Sequence, residues 1–260
     1  MTDAVGLRGR PAALGVARVP TYANAKVRLY RGDATAVLRS LPRASADACV
    51  TDPPYGEHVA SWDGPRCREW YVAWLRELDR VLVPHGPIVT FAPRRRCDVI
   101  MSALREVRGD PPEAPLQMLV WVHRQGFRPA PGYLRPEHEA IVASGLLRVQ
   151  DDDVREERGS LTESSRSTQP TPRPLVGTVI EAPRTARRER TGHPTQKPEA
   201  LVRFLVALAT PAGGSVVDPF AGSGTTLLAA VELGRTAIGV DRSIRACRIA
   251  ADRLAARTRR

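Results

Sequence analysis

The sequence predicts one large α/β domain built on an open, largely parallel sheet, and three observations carry that expectation. Short apolar runs suited to buried strands alternate with segments of helical spacing, beginning with a strand at 27–30, the turn Gly32-Asp33, a helix at 34–41 and the strand Ala48-Cys49-Val50. Two of the runs end in loops of distinctive composition, Asp52-Pro53-Pro54-Tyr55 and Asp218–Thr226, and the carboxyl ends of strands are where such a sheet gathers its ligands. A chain of 260 residues can also bury a sizeable core without being forced into a second domain.

Residues 1–20 are rich in Ala, Gly, Arg and Pro without sustained periodicity and read as a flexible leader. After the first β-α-β unit and its Asp52 loop comes a helix at 67–82, whose Trp70, Trp74, Leu75 and Leu78 share one face and read as core rather than as platforms for stacking a base. A strand at 87–91 runs into Pro93-Arg94-Arg95-Arg96 and a helix at 99–107; the three arginines fit either phosphate contacts at the sheet rim or a solvated helix start. Apolar runs at 116–122 and 139–143, separated by the Gly- and Pro-rich loop 125–136, look like a final pair of strands at one edge. From 146 to 191 regular patterning fails, which suggests an insertion without regular structure; its first part is acidic, and 164–190 holds six arginines, Arg184, Arg187 and Arg188 among them. A helix at 198–208, a strand at 215–217, a helix at 227–233 and a strand at 236–240 ending in Asp241 complete the reading.

The formal net charge of +11 suits a polyanionic partner. Of the 39 basic residues only Lys26 and Lys197 are lysines, so part of that excess reflects a general preference for arginine. Cys49, Cys67, Cys97 and Cys247 are scattered with no C-x-x-C pair, which argues against a zinc site and a disulfide framework, and no metal is expected. No stretch approaches a membrane span, so an intracellular, soluble and cytoplasmic protein is expected.

Two loops carry the chemistry. In Asp52-Pro53-Pro54-Tyr55 the prolines remove two backbone donors, leaving outward carbonyls beside a carboxylate and an aromatic ring. Such a loop can accept hydrogen bonds from a planar amino group and stack on its ring; on these residues alone it is equally an ordinary turn. The second loop, Asp218-Pro219-Phe220-Ala221-Gly222-Ser223-Gly224-Thr225-Thr226, lies between a strand and a helix, the layout of a nucleotide-type cofactor site. Leu227 stands where a dinucleotide fingerprint needs its third glycine, and no Gly-Lys-Ser/Thr follows to make a P-loop.

Taken in order, Thr51-Asp-Pro-Pro-Tyr-Gly56, His193-Pro-Thr-Gln-Lys-Pro198 and Asp218–Thr226 resemble the β group of DNA amino-methyltransferases, over residues 27–255. The resemblance implies a Rossmann-like S-adenosylmethionine-dependent methyltransferase fold, a seven-stranded, mostly parallel sheet with helices on both faces and permuted strand order. It divides the chain into a catalytic half, 21–145, a target-recognition insertion, 146–190, and a cofactor-binding half, 191–260. It implies that Asp218, Phe220, Gly222, Ser223 and Gly224 cradle S-adenosyl-L-methionine, that Asp241 takes its ribose and Asp33 its adenine, and that Thr195, Gln196 and Lys197 close over the methionine portion.

The implied reaction is transfer of a methyl group to an exocyclic amino nitrogen of a base flipped out of double-stranded DNA, with Asp52 and the Pro53 carbonyl orienting the NH2, Pro54 shaping the loop and Tyr55 holding the ring. Adenine N6 is favoured because the loop begins with Asp; relatives acting on cytosine N4 more often begin with Ser, and the N4 alternative stays open. Arg94, Arg95, Arg96, Arg184, Arg187 and Arg188 are the candidate DNA contacts. A homodimer and a restriction endonuclease are candidate partners. A catalytically silent DNA-binding relative and a methyltransferase of RNA or protein amides are the readings from other classes.

Overall fold

The computed structural model describes residues 20–56, 63–64, 66–93, 96–123, 131–132, 134–149, 151–163 and 177–258. The leader at 1–19, Arg94, Arg95 and most of the 125–136 loop lie outside the described residues. In chain order the elements are β1 (Tyr22–Ala23), β2 (Val27–Arg31), α1 (Ala34–Ser40), β3 (Ala48–Thr51), α2 (Arg68–Val81), β4 (Ile88–Ala92) and α3 (Cys97–Arg108). They continue with β5 (Leu116–Val122), β6 (His138–Ser144), α4 (Asp152–Glu163), β7 (Val179–Glu181), a 3-10 turn at Arg187–Glu189, α5 (Glu199–Ala209), β8 (Ser215–Asp218), α6 (Thr225–Glu232), β9 (Thr236–Asp241) and α7 (Ile244–Thr258).

The sheet runs β1-β2-β9-β8-β3-β4-β6-β5-β7. Strands β2, β9, β8, β3 and β4 are mutually parallel, and β6 runs antiparallel to both β4 and β5. The seven strands expected are the middle seven, β2 through β5; the short strands β1 and β7 extend the sheet to nine and cover its two edges. Edge position is wrong for β5, because β7 pairs with it in parallel register from Val120↔Val179.

Alternate residues of the central strands face opposite layers. Val216 packs with α5, α6 and α7, and Val217 packs with α1, α2 and α3 on the other side. In α2 the buried stripe Tyr71, Trp74, Leu75, Leu78 and Val81 follows helical spacing against that second layer. Helix α5 is buried nearly all round, with Leu201, Val202, Phe204, Leu205, Val206 and Leu208 all shielded from solvent. A helix so apolar must be covered on its outer side, and α4 covers it.

Helix α4 corrects the expectation that 146–190 lacks regular structure. Its inner face is Val154, Glu157 and Leu161, so a carboxylate interrupts the apolar stripe that periodicity would detect. Arg203 of α5 meets Glu157 with Nε–Oε2 at 3.0 Å and Nη2–Oε1 at 2.5 Å, and Arg235, itself buried, bonds Asp153 and the Thr210 carbonyl. The acidic first part of the segment is therefore fastened to α5 and to the turn before β9 by ion pairs. Among the described residues no helix is long and apolar enough to cross a membrane.

Candidate active site

Strands β3 and β8 are neighbours at the point where strand order reverses, and their carboxyl ends deliver the two expected loops side by side. Thr51 Oγ1, at the end of β3, donates to Asp218 Oδ1 over 2.7 Å, and Phe220 N donates to the same oxygen over 3.0 Å. Burial pushes the Asp218 carboxyl up to about 6, although both of these bonds favour its charged form. In this structure Asp218 braces one loop against the other.

The turn that follows needs glycine twice. Gly224 has φ 78°, and a Cβ there would lie 2.7 Å from Ala250 Cβ of α7. Gly222 has φ 51° and packs beneath the His193 ring, 3.3 Å from where its Cβ would be. Asp241, at the end of β9, accepts from Gly222 N at 2.9 Å and from Ser243 N at 2.7 Å. It holds the turn in shape, and burial raises its carboxyl pKa. Arg253 ties the same turn to α5 by donating to the Ser223 carbonyl at 2.6 Å and to Glu199 Oε1 at 2.7 Å.

Thr51, Asp218, Phe220, Gly222, Ser223 and Asp241 line a cavity of about 490 Å³ that also includes Asp33, Trp70 and Lys197. Asp33 caps α1 by accepting from Ala36 N at 3.1 Å. The Trp70 and Phe220 rings lie 5.5 Å apart, and the Arg66 guanidinium sits 4.9 Å from the Trp70 ring. Trp70 is partly buried and lines the cavity, whereas Trp74 is fully buried core as expected.

A second cavity, of about 690 Å³, opens on the other side of the Asp52 loop and is lined by Tyr55, Trp121, His138, Glu139 and Arg184. Asp52, Pro54 and the strap Gly192–Lys197 line both spaces. Gln196 fixes that strap: its Oε1 accepts from Thr191 N and Oγ1 at 3.0 and 2.8 Å, and its Nε2 donates to the Glu189 carbonyl at 2.7 Å. Thr195 lines both cavities.

Asp52 stands at the junction. Tyr55 Oη donates to its Oδ1 over 2.7 Å, and Lys197 Nζ donates to its Oδ2 over 2.7 Å. Lys197 also lies 3.4 Å from Glu139 Oε2, with the Phe91 ring 4.8 Å and the Tyr55 ring 5.6 Å from its ammonium. Burial alone would favour neutral Lys197, but Asp52 and Glu139 more than offset it and raise its pKa, so it is cationic. Burial, then the Asp52 charge, raises the Tyr55 pKa and keeps its phenol protonated. Burial lowers the His193 pKa. Pro53 is buried, and the Pro54 carbonyl turns inward to accept from Tyr71 Oη at 3.3 Å, which corrects the expectation of outward carbonyls for that residue.

The family described as DNA methylase, of the N6/N4 type, matches residues 46–252. The chain belongs to that DNA methylase family. DNA adenine methyltransferase YhdJ of Escherichia coli K12 is 27% identical over 243 residues, covering 85% of this chain and 80% of YhdJ. The cytosine-N4-specific PvuII DNA methyltransferase overlays with a TM-score of 0.66 at 18% identity, covering 92% of this chain and 89% of that one. A DNA modification methylase of Thermus thermophilus described as putative, TTHA0409, was solved in complex with S-adenosyl-L-methionine; it overlays with a TM-score of 0.58 at 26% identity, covering 89% and 95%.

Within this methylase, Asp52, Pro53, Pro54 and Tyr55 of the first loop and Asp218, Phe220, Gly222 and Ser223 of the second line the two cavities, Gly224 lies behind the second loop against α7, and the arginines separate. Arg184 is turned into the second cavity, its Nε 3.2 Å from His123 Nδ1, and Arg96, Arg187 and Arg188 are exposed. Sequence reasoning missed Glu139, His193 and Trp70 as site residues. His193 had a signal, since it heads the 193–198 motif; Glu139 had none beyond its place on a strand.

Proposed function

We propose that the chain methylates the N6 amino group of adenine in double-stranded DNA, using S-adenosyl-L-methionine and a base flipped into the second cavity. The observation that carries this reading is the placement of Asp52 in the wall shared by the two cavities, within reach of groups bound in either.

The smaller cavity suits the cofactor by its chemistry. A glycine turn admits close backbone approach, carboxylates at the ends of β9 and after β2 suit hydroxyl and amino donors, and Trp70 with Phe220 offers aromatic faces. Bound there, S-adenosylmethionine supplies an electrophilic methyl group. Gly222, Ser223, Asp241, Asp33 and Phe220 would hold it, with Lys197 on the side beside Asp52 and Thr195 in the wall shared with the second cavity.

The exocyclic nitrogen of a nucleobase is a poor nucleophile because its lone pair is delocalised into the ring. Asp52 accepts from the NH2 and, with the Pro53 carbonyl, draws the nitrogen toward a pyramidal shape whose lone pair points at the cofactor side. Tyr55 fixes the carboxylate orientation through its 2.7 Å bond while its ring walls the base cavity. The aspartate that heads the loop favours adenine; cytosine N4 is the second reading, kept because its amino group presents the same donors.

Modification-sensitive sequencing of DNA from cells expressing the protein tests both readings together. N6-methyladenine at a defined sequence is the expected result. N4-methylcytosine would select the second reading, and unmodified DNA would reject both.

A further inference from the structure

We infer that Lys197 holds the place of the target amino group on Asp52 and that Glu139 is the second station onto which it moves when the base arrives. This inference rests on the methyltransferase reading above.

Each oxygen of Asp52 already accepts a donor, Oδ1 from Tyr55 and Oδ2 from Lys197. An entering NH2 needs one of these oxygens. The Tyr55 phenol is fixed within its own loop, so the ammonium is the donor that yields. A buried ammonium cannot simply be abandoned, because an uncompensated charge away from water is strongly unfavourable. Glu139 resolves this: its Oε2 is 3.4 Å from Nζ, so a shift well short of a full side-chain rearrangement completes the bond. Its other oxygen, Oε1, faces Arg184 Nη2 and His123 Nε2, each at 3.9 Å, which leaves Oε2 turned toward the lysine. The rings of Phe91 and Tyr55 flank the ammonium and favour a cation there.

Lys197 thereby satisfies Asp52 while the base cavity is unfilled, and Glu139 sets how readily it gives way. Glu139 acts through Lys197 and is a positioning residue. Its carboxylate matters for base entry and leaves cofactor binding alone, since it lines only the second cavity.

The test compares affinity for two duplexes carrying the site found by sequencing, one intact and one abasic at the methylated position, in the presence of S-adenosylhomocysteine. Phosphate contacts are common to both, so the intact-to-abasic affinity ratio reports base seating. In Glu139→Gln the second station keeps a neutral acceptor but loses the charge that compensates the ammonium, and the ratio should fall about tenfold, the scale of one charge-assisted hydrogen bond. S-adenosylhomocysteine affinity should stay within about twofold as the sign of an intact fold, because a tenth of the ratio is the effect sought. Adding Lys197→Met to Glu139→Gln should restore the ratio, an outcome that a merely structural Glu139 would not produce. An unchanged ratio in Glu139→Gln, or no recovery in the double variant, would overturn the inference. If Glu139→Gln fails to fold, Lys197→Met alone decides: the ratio should exceed that of the wild type, and a fall overturns the inference. Failure of the wild type to methylate any DNA would instead remove the functional reading beneath it.

Discussion

Thr51 Oγ1 lies 2.7 Å from Asp218 Oδ1, and that hydrogen bond joins the Asp52 loop to the glycine-rich loop. Both residues are buried, so the bond is shielded from water. Thr51→Val keeps the shape and removes the donor. It should cost about 1–2 kcal/mol in urea unfolding and weaken cofactor affinity and turnover together. Unaltered cofactor affinity would mean that the two loops are positioned independently.

Asp218 also makes stability depend on pH. Its folded pKa, about 6, is raised above the ordinary value of 3.8, mainly by burial. The folded state therefore holds this proton more tightly than the unfolded chain does. The resulting stabilisation is fully present below pH 3.8 and is lost as pH rises through about 6. The span amounts to roughly 3 kcal/mol as an upper bound. Asp218→Asn cannot titrate, so the wild-type stability measured relative to it should decline across that window and level off above. A flat difference would show that folding leaves the pKa of this carboxyl unshifted.

Gly224 and Gly213 separate backbone strain from collision. Both have positive φ, 78° and 71°, but a Cβ on Gly213 meets nothing within 4 Å, whereas one on Gly224 would sit 2.7 Å from Ala250 Cβ. Gly213→Ala should cost about 1 kcal/mol from strain alone. Gly224→Ala should cost at least about twice that and lower cofactor affinity. Equal melting temperatures for the two variants would contradict the packing of α7 against the turn.

Asp52→Ala should lower kcat at least about a hundredfold, on the scale of losing a group aligned with the transition state. Cofactor affinity, measured by calorimetry, should remain. Loss of both would show that Asp52 also supports cofactor binding.

The arginines should divide by salt dependence. Arg187→Ala and Arg188→Ala should each flatten the slope of log affinity against log salt by up to about 0.9, because both are exposed. Arg184→Ala should leave the slope unchanged, since its guanidinium is turned toward His123 and Glu139. A reduced slope for Arg184→Ala would put that residue against phosphate.

Strand and loop pairs are legible in the sequence because the signal is local. An apolar run followed by Asp-Pro-Pro or by Asp-Pro-Phe-Ala-Gly marks a strand end within a few residues, which locates Asp52 and Asp218. Helix α4 is not legible, because its buried face holds Glu157, whose partner Arg203 lies 46 positions away. Glu139 is hidden for the same reason: what defines it is an ammonium carried by another segment. Trp70 shares a stripe with Trp74, and spacing cannot tell that the end of the stripe faces a cavity.

The pairing of β3 with β8 unites Asp47 and Ser215, 168 positions apart, at the centre of the sheet. On the ribosome the first half of the chain must therefore wait with the inner edge of β3 uncovered until β8 emerges, while the β5-β6 hairpin can already close. A chain terminated before β8 accordingly carries an Asp52 loop without the glycine-rich loop beside it, and the proposed methyl-donor site cannot form until β8 has been made.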